Sequence, residues 1–371
     1  MRLILSYAVA VCCAVSLAGQ AVAQDLKKGV TDLAHVDADY HFQGEYFGSV
    51  KAQEGGNRVV GLQVVAMGDG KFDALWYQGG LPGNGYDGSK TQKLSGQRIE
   101  LKVELSGEGL MIELSAGRAN VKNSGGAFLG SLIRQNRTSQ TEGARPPANA
   151  VVLFDGKATD RLKNAKLTPD GLLEIGAETT EPVQNFTLHA EFRIPYMPYA
   201  RGQGRGNSGF YLQKRYEVQV LDSFGLELQF NDCASLYRFK APDMNMSFPP
   251  LRWQTYDIDF TAPKFDADNK RIAKGRITVR HNGVIVHNNL ELDNKTGGGS
   301  PEGPNPLPIL FQNHGNPVHF RNIWLVNHDA SSAPAPTEPT TVAQANCSSP
   351  CPTTCCVPTP CCRPVRLRRC R

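Results

Sequence analysis

Hydrophobic and polar positions alternate most clearly between residues 206 and 225. Gly206-Asn207-Ser208-Gly209 has turn composition, and the run that follows places Tyr216, Val218 and Val220 on one face of a strand and Arg215, Glu217 and Gln219 on the other. The apolar face seats the strand on a core. A face with a cation, a carboxylate and an amide in succession is either the wet side of an antiparallel sheet or the lining of a site. A second polar block, Gln312-Asn313-His314-Gly315-Asn316-Pro317-Val318-His319-Phe320-Arg321-Asn322, moves the reading toward a site.

The same pattern predicts short strands throughout and no helix of convincing length. Arg58–Ala66 and Lys71–Tyr77 flank the turn Met67-Gly68-Asp69-Gly70, and Arg98–Leu105 and Leu110–Leu114 flank Ser106-Gly107-Glu108-Gly109. Residues 40–135 therefore read as a small β-rich module. Its glycine-rich stretch, 79–88, lacks the strand-to-helix context and the Gly-Lys-Ser/Thr signature of a phosphate cradle. Residues 136–149 are polar and proline-bearing, the composition of a linker. Residues 150–328 form the main domain, with strands expected at 186–194, 209–212, 216–221, 253–261, 275–281, 284–292, 309–313 and 318–326 and a hairpin turn at Asn282-Gly283. Short strands punctuated by Gly, Pro and Asn predict an all-β sandwich or jelly roll. Residues 329–371 begin as a Ser/Ala/Pro/Thr stretch expected to be disordered.

A length of 371 residues suits two folded modules plus tails, and 37 glycines with 24 prolines agree with the all-β reading. The formal charge of +5 is small and partly resides in the terminal arginines. No basic face is interleaved with aromatics, so nucleic acid is not an expected partner. Residues 1–23 have the features of a signal peptide: Met1-Arg2, an apolar run from Leu3 to Ala18 and Ala21-Val22-Ala23 as a cleavage site. Export to periplasm, cell wall or medium is expected, and no later segment approaches the roughly 20 apolar residues of a membrane span. Cys347, Cys351, Cys355, Cys356, Cys361, Cys362 and Cys370 crowd the C-terminus without the spacing of a zinc site, and an odd number cannot all pair internally. The tail is then an oxidised appendage, a cross-link to the cell wall or to a second copy, or a metal-binding segment.

Several residues in the two polar blocks can carry chemistry. Glu217 is the first candidate for a base or a metal ligand, with Gln219 on the same face. Asp222 lies an odd number of residues on, which opposes a paired-carboxylate glycosidase site as long as the strand continues, and Asp-Ser-Phe-Gly has turn composition. His314 stands in a loop, suited to acid–base or metal-ligand work. Tyr196, Tyr199 and Tyr211 flank the Gly/Arg-rich loop 201–206 and suit stacking on a sugar ring, with that loop as a mobile cover. His35, His41, His281, His287 and His319 are scattered without ligand spacing, and Trp253 and Tyr256 read as core.

Asn207-Ser208-Gly209, Tyr216-Glu217-Val218-Gln219 and Leu221-Asp222-Ser223, followed by Gln312 to Val318 and Phe320-Arg321-Asn322-Ile323-Trp324, resemble the 3-keto-disaccharide hydrolase family over residues 150–328. Ala241-Pro242, Trp253 to Asp257 and His281 to Val284 resemble further family landmarks. The module before it resembles, more weakly, the β-rich region that precedes this domain in exported planctomycete-type proteins. The resemblance implies a concanavalin-like sandwich that binds an oxidised glycoside on its concave sheet. It also implies removal of the C2 proton from a 3-keto-glycoside, expulsion of the C1 substituent and hydration. Glu217, His314 and Arg321 are then the catalytic candidates, with Arg321 either holding the enolate oxygen or pairing with Glu217. Asn207, Gln219, Gln312, Asn313 and Tyr211 are candidates for substrate binding, and Glu217 with Asp222 would suit a divalent metal such as calcium. Asn313 departs from the family's usual Asp and removes a negative charge beside His314. A non-catalytic carbohydrate-binding or wall-associated protein is the rival expectation.

Overall fold

The computed structural model describes residues 26–52 and 55–329. The expected leader and the cysteine-rich tail lie outside the described residues. The chain is all-β with antiparallel sheets, as the alternation predicts.

The N-terminal module is a closed eight-stranded barrel. Its strands are β1 (Gly44–Lys51), β2 (Asn57–Ala66), β3 (Lys71–Gln78), β4 (Gln92–Ile99), β5 (Lys102–Gly107), β6 (Leu110–Ser115), β7 (Arg118–Asn123) and β8 (Phe128–Gln135). Each pairs with the next, and β8 returns to β1 from Glu45↔Gln135 to Val50↔Gly130. Period-two burial fills the interior: Val60, Leu62 and Val64 of β2 and Phe72, Ala74 and Trp76 of β3 all point inward. Closure removes both sheet edges, which adjacent hairpin signals alone could not reveal.

The second module has two sheets. Its strands are β9 (Val151–Phe154), β10 (Leu162–Lys163), β11 (Glu178–Thr179), β12 (Phe186–Arg193), β13 (Ser208–Leu212), β14 (Tyr216–Val220), β15 (Trp253–Thr261), β16 (Lys264–Phe265), β17 (Arg271–Ala273), β18 (Gly275–His281), β19 (Val284–Leu292), β20 (Leu310–Phe311) and β21 (His319–Asn327). One sheet has the order β10-β11-β20-β13-β14 and the other β19-β18-β15-β12-β21-β9, while β16 and β17 form a separate pair. A single apolar cluster joins the two larger sheets. Phe210 of β13 packs edge-on against Phe192 of β12 and Tyr256 of β15. Asn282 and Gly283, at φ +52° and +84°, form the expected turn between β18 and β19.

Residues 136–149 do not behave as a linker. Arg137 pairs with Glu45 and donates to the Pro82 carbonyl on the barrel. Ser139 and Thr141 bond Thr255, Thr141 also donates to Asp257, and the Gly143 amide donates to Glu191. The segment is a strap along the outer face of the six-stranded sheet. The barrel is fastened at a second point where Gly225, at φ +66°, meets Val65 of β2 so closely that a Cβ there would overlap it.

Candidate functional site

Register assembles the predicted polar face. In the five-stranded sheet Gly209 stands opposite Gln219, and Tyr211 opposite Glu217. On the other side of β13, Tyr211 stands opposite Leu310, and the Gln312 amide donates to the Gly209 carbonyl at 2.8 Å. The face turned away from the core therefore holds two adjoining rows, Gln312–Gly209–Gln219 and Leu310–Tyr211–Glu217. Gly209 leaves the room in the first row that the Glu217 side chain fills: a Cβ at this position would lie 2.5 Å from Glu217 Oε1.

Glu217 is only 1% exposed, yet its Oε2 has no hydrogen-bond donor from the protein. Burial raises its pKa to about 7, and the Tyr211 hydroxyl is the group that draws it back. The same burial pushes the Tyr211 phenol upward. Thr296 Oγ1 accepts from the Glu217 amide at 2.8 Å, and Gly298 closes against the Tyr211 hydroxyl. Asn207 donates Nδ2 to the Gln203 carbonyl at 2.7 Å, and its amide nitrogen donates to Asn316 Oδ1 at 2.8 Å. Its Oδ1, like Gln312 Oε1, is buried without a protein donor. Three acceptors, on Glu217, Asn207 and Gln312, thus lack donors on one sheet face. Buried acceptors without donors are costly, and a ligand with several hydroxyl groups would satisfy them. Gln219 donates to Gln203 Oε1 at 3.0 Å, which fixes its amide beside this group.

Other predicted residues fall elsewhere. His314 and Asn313 are exposed on the turn that Gln312 and Asn316 tie to Gly209 and Asn207, so they stand at the rim. Asn313 accepts from the Gly315 amide and shapes that turn. Asp222 follows the end of β14 at Val220 and pairs with Arg205 at 2.6 Å. It also accepts from the Phe224 amide at 3.4 Å, as its turn composition predicted. Calcium takes six to eight oxygen ligands, and with Asp222 engaged by Arg205 this donor set does not fit it. Among the described residues no group of three or more His, Cys, Asp or Glu side chains converges as a metal site.

Arg321 does not join Glu217. It is in β21 of the other sheet, where Nε bonds Glu191 at 2.7 Å, a terminal nitrogen bonds Glu142 at 2.8 Å, and the guanidinium lies 3.9 Å over the Trp253 ring. Asn322, the next residue in β21, also donates to Glu191 because its φ of +45° breaks the strand alternation. Tyr196 is buried and donates to Asp37, and Tyr199 donates to Asp69 on the barrel, so neither stacks at this face. The loop expected as a mobile cover is anchored, with Arg201 donating to the Met67 carbonyl. Sequence reasoning missed Gln203 and Thr296. Both reach the site from irregular segments with no strand period to reveal them.

The outer face of the six-stranded sheet carries a second buried polar cluster. His189 Nδ1 meets Asp257 at 2.6 Å, and its ring stacks on Trp324 at 5.0 Å. Burial pushes His189 down, but Asp257 and Glu191 outweigh it and hold the imidazole above the ordinary histidine value. Burial pushes Glu191 up, yet bonds from His189, Asn322, the Gly143 amide and Arg321 bring it to about 2.

Residues 149–326 match the model of the 3-keto-alpha-glucoside-1,2-lyase-like domain. Two similar solved structures, each described as a putative glycosyl hydrolase, are from Parabacteroides distasonis. One is 32% identical, with 49% of this chain and 84% of that chain covered at a TM-score of 0.46. The other is 18% identical, with 52% and 99% covered at a TM-score of 0.36. No curated protein matches.

Proposed function

The chain belongs, through residues 149–326, to the 3-keto-alpha-glucoside-1,2-lyase-like domain family, and from that premise we propose that it cleaves 3-keto-glycosides by elimination and hydration. The two sheets are read as a concanavalin-like pair with the sugar held on the outward face of β13, β14 and β20. The observation that carries the proposal is Glu217, a buried carboxylate with no cation beside it and a pKa raised to about 7. A base poised near neutrality suits removal of a carbon-bound proton.

A ketone at C3 acidifies the proton at C2. Glu217 takes that proton, and the C2–H electrons form the enolate of the C2–C3 bond. Collapse of the enolate restores the ketone, forms the C1–C2 double bond and breaks the C1–O bond. The departing oxygen takes a proton at the rim, where His314 stands, and leaves as an alcohol. Water then adds across the double bond, its oxygen to C1 and a proton to C2. Amide groups of Asn207, Gln219 and Gln312 orient the sugar hydroxyls, and Tyr211 holds Glu217 in place. An ordinary glycosidase would need two carboxylates about the bond, and on this face Glu217 stands alone while Asp222 is paired with Arg205.

Cleavage of a 3-keto-disaccharide in deuterium oxide tests this reading. Early product with deuterium at C2, lost in Glu217→Gln, is the expected result. Cleavage that leaves protium at C2, or that survives the substitution unchanged, would overturn it.

A further inference from the structure

One side chain of the site just described also faces the barrel. Gln203 accepts from Gln219 and from Asn207, and its Nε2 donates to the Asn231 carbonyl at 2.8 Å. The same Gln203 lines a cavity of about 460 Å³ whose opposite wall is the outer surface of the barrel, with Asp73 of β3 and Lys93 and Ser95 of β4. Asn231 and Leu226 complete the wall on the second module. The pairing of β3 with β4 sets Asp73 beside Ser95, so barrel register builds one side of this space. The salt bridge from Lys93 to Glu227 at 2.6 Å and the bond from Thr91 to Glu227 at 3.0 Å hold the wall in place.

We infer that this cavity is a glycan subsite, which the barrel completes, for sugar units beyond the bond that is cleaved. The inference rests on the reading of the Glu217 face as the saccharide site and adds the length of the ligand. Three features select the chemistry. The size falls within the usual range for small-ligand pockets, which favour junctions between modules. Amide, hydroxyl and carboxylate groups alternate with leucine, the mixture that suits the hydroxyl edge and the C–H face of a pyranose. The single lining lysine is already neutralised by Glu227, and Asp73 and Asp232 add negative charge, so the wall repels a sulfated or uronic chain and admits a neutral one. The basic residues of the chain end, which would attract an acidic polysaccharide, have no counterpart here.

The test is direct binding, separate from turnover. Unoxidised gluco-oligosaccharides of α-1,4 and β-1,4 linkage, from disaccharide to hexasaccharide, are titrated into the protein of residues 24–371 by calorimetry. Affinity should rise roughly tenfold with length in one series. Filling the cavity from the barrel side by Ser95→Trp, or from the other side by Leu226→Trp, should flatten that rise while affinity for the disaccharide is kept. Both positions are exposed, so either variant reports if the other fails to fold. Glu217→Gln should keep the length dependence. Length dependence without any turnover would retain the subsite and remove the catalytic reading. Turnover without length dependence, binding unaffected by both tryptophans, or no binding in either series would overturn the subsite.

Discussion

Glu217 and Glu191 are both buried on the outward faces of sheets that share one core, at 1% and 0% exposure, and they titrate in opposite directions. Glu191 is surrounded by donors: Arg321, Asn322, His189 and the Gly143 amide bring it to about 2. Glu217 has the Tyr211 hydroxyl and no cation, and burial raises it to about 7. Burial of a charge does not therefore mark a site. What distinguishes the two is whether the protein completes the hydrogen bonding of the carboxylate: Glu191 is fully engaged, while Glu217 Oε2, with Asn207 Oδ1 and Gln312 Oε1 near it, has no protein donor. The Glu191 cluster fastens the strap of residues 139–144 to its sheet, a structural task.

The largest effect expected from this contrast is on rate. Glu217→Gln should lower kcat/KM for a 3-keto-glucoside by roughly 10²–10⁴-fold, whereas Glu191→Gln should leave the rate of the folded protein nearly unchanged, as steady-state kinetics would show. Stability should respond the other way. Glu191→Ala removes the carboxylate that Arg321, Asn322 and the Gly143 amide share, leaving Arg321 only Glu142 and His189 only Asp257, and should cost about 3–5 kcal/mol in urea unfolding; a loss below about 1 kcal/mol would mean that the cluster does not hold the strap.

A third effect concerns pH. The folded pKa of Glu217 is raised, so its contribution favours the folded state below the unfolded value near 4.5 and is lost as pH rises through about 7. Ionised Glu217 then costs roughly 3 kcal/mol, and Glu217→Gln should be more stable than the parent at pH 8 but not at pH 4. Glu191 has the opposite sign: its contribution is present above the unfolded value and disappears as pH falls toward about 2. The smallest effect is at Gly209, where Ala would push its Cβ against Glu217 Oε1. Its cost should be about 1–3 kcal/mol, with a fall in rate because the carboxylate is displaced.

The Glu217 face was legible because a strand repeats every two residues, so a single pattern placed Glu217 and Gln219 opposite Tyr216 and Val218. The period of two does not hold at Arg321, since the left-handed Asn322 turns two successive side chains toward Glu191. Gln203 and Thr296 reach the site from a short turn and a loop through contacts distant in sequence, and nothing local announces them. Barrel closure likewise depends on β8 meeting β1, the pair most distant in the sequence of that module. The segment 136–149 has the composition of a free linker, and only the donors and acceptors that meet it on the sheet make it a strap.

The pH dependence of 3-keto-glucoside cleavage tests the central claim most directly. The account predicts that kcat/KM rises with pH on a limb centred near 7, set by ionisation of Glu217, and that the limb disappears in Glu217→Gln. A limb centred near the ordinary carboxylate value of about 4.3, or one that persists in the variant, would contradict it.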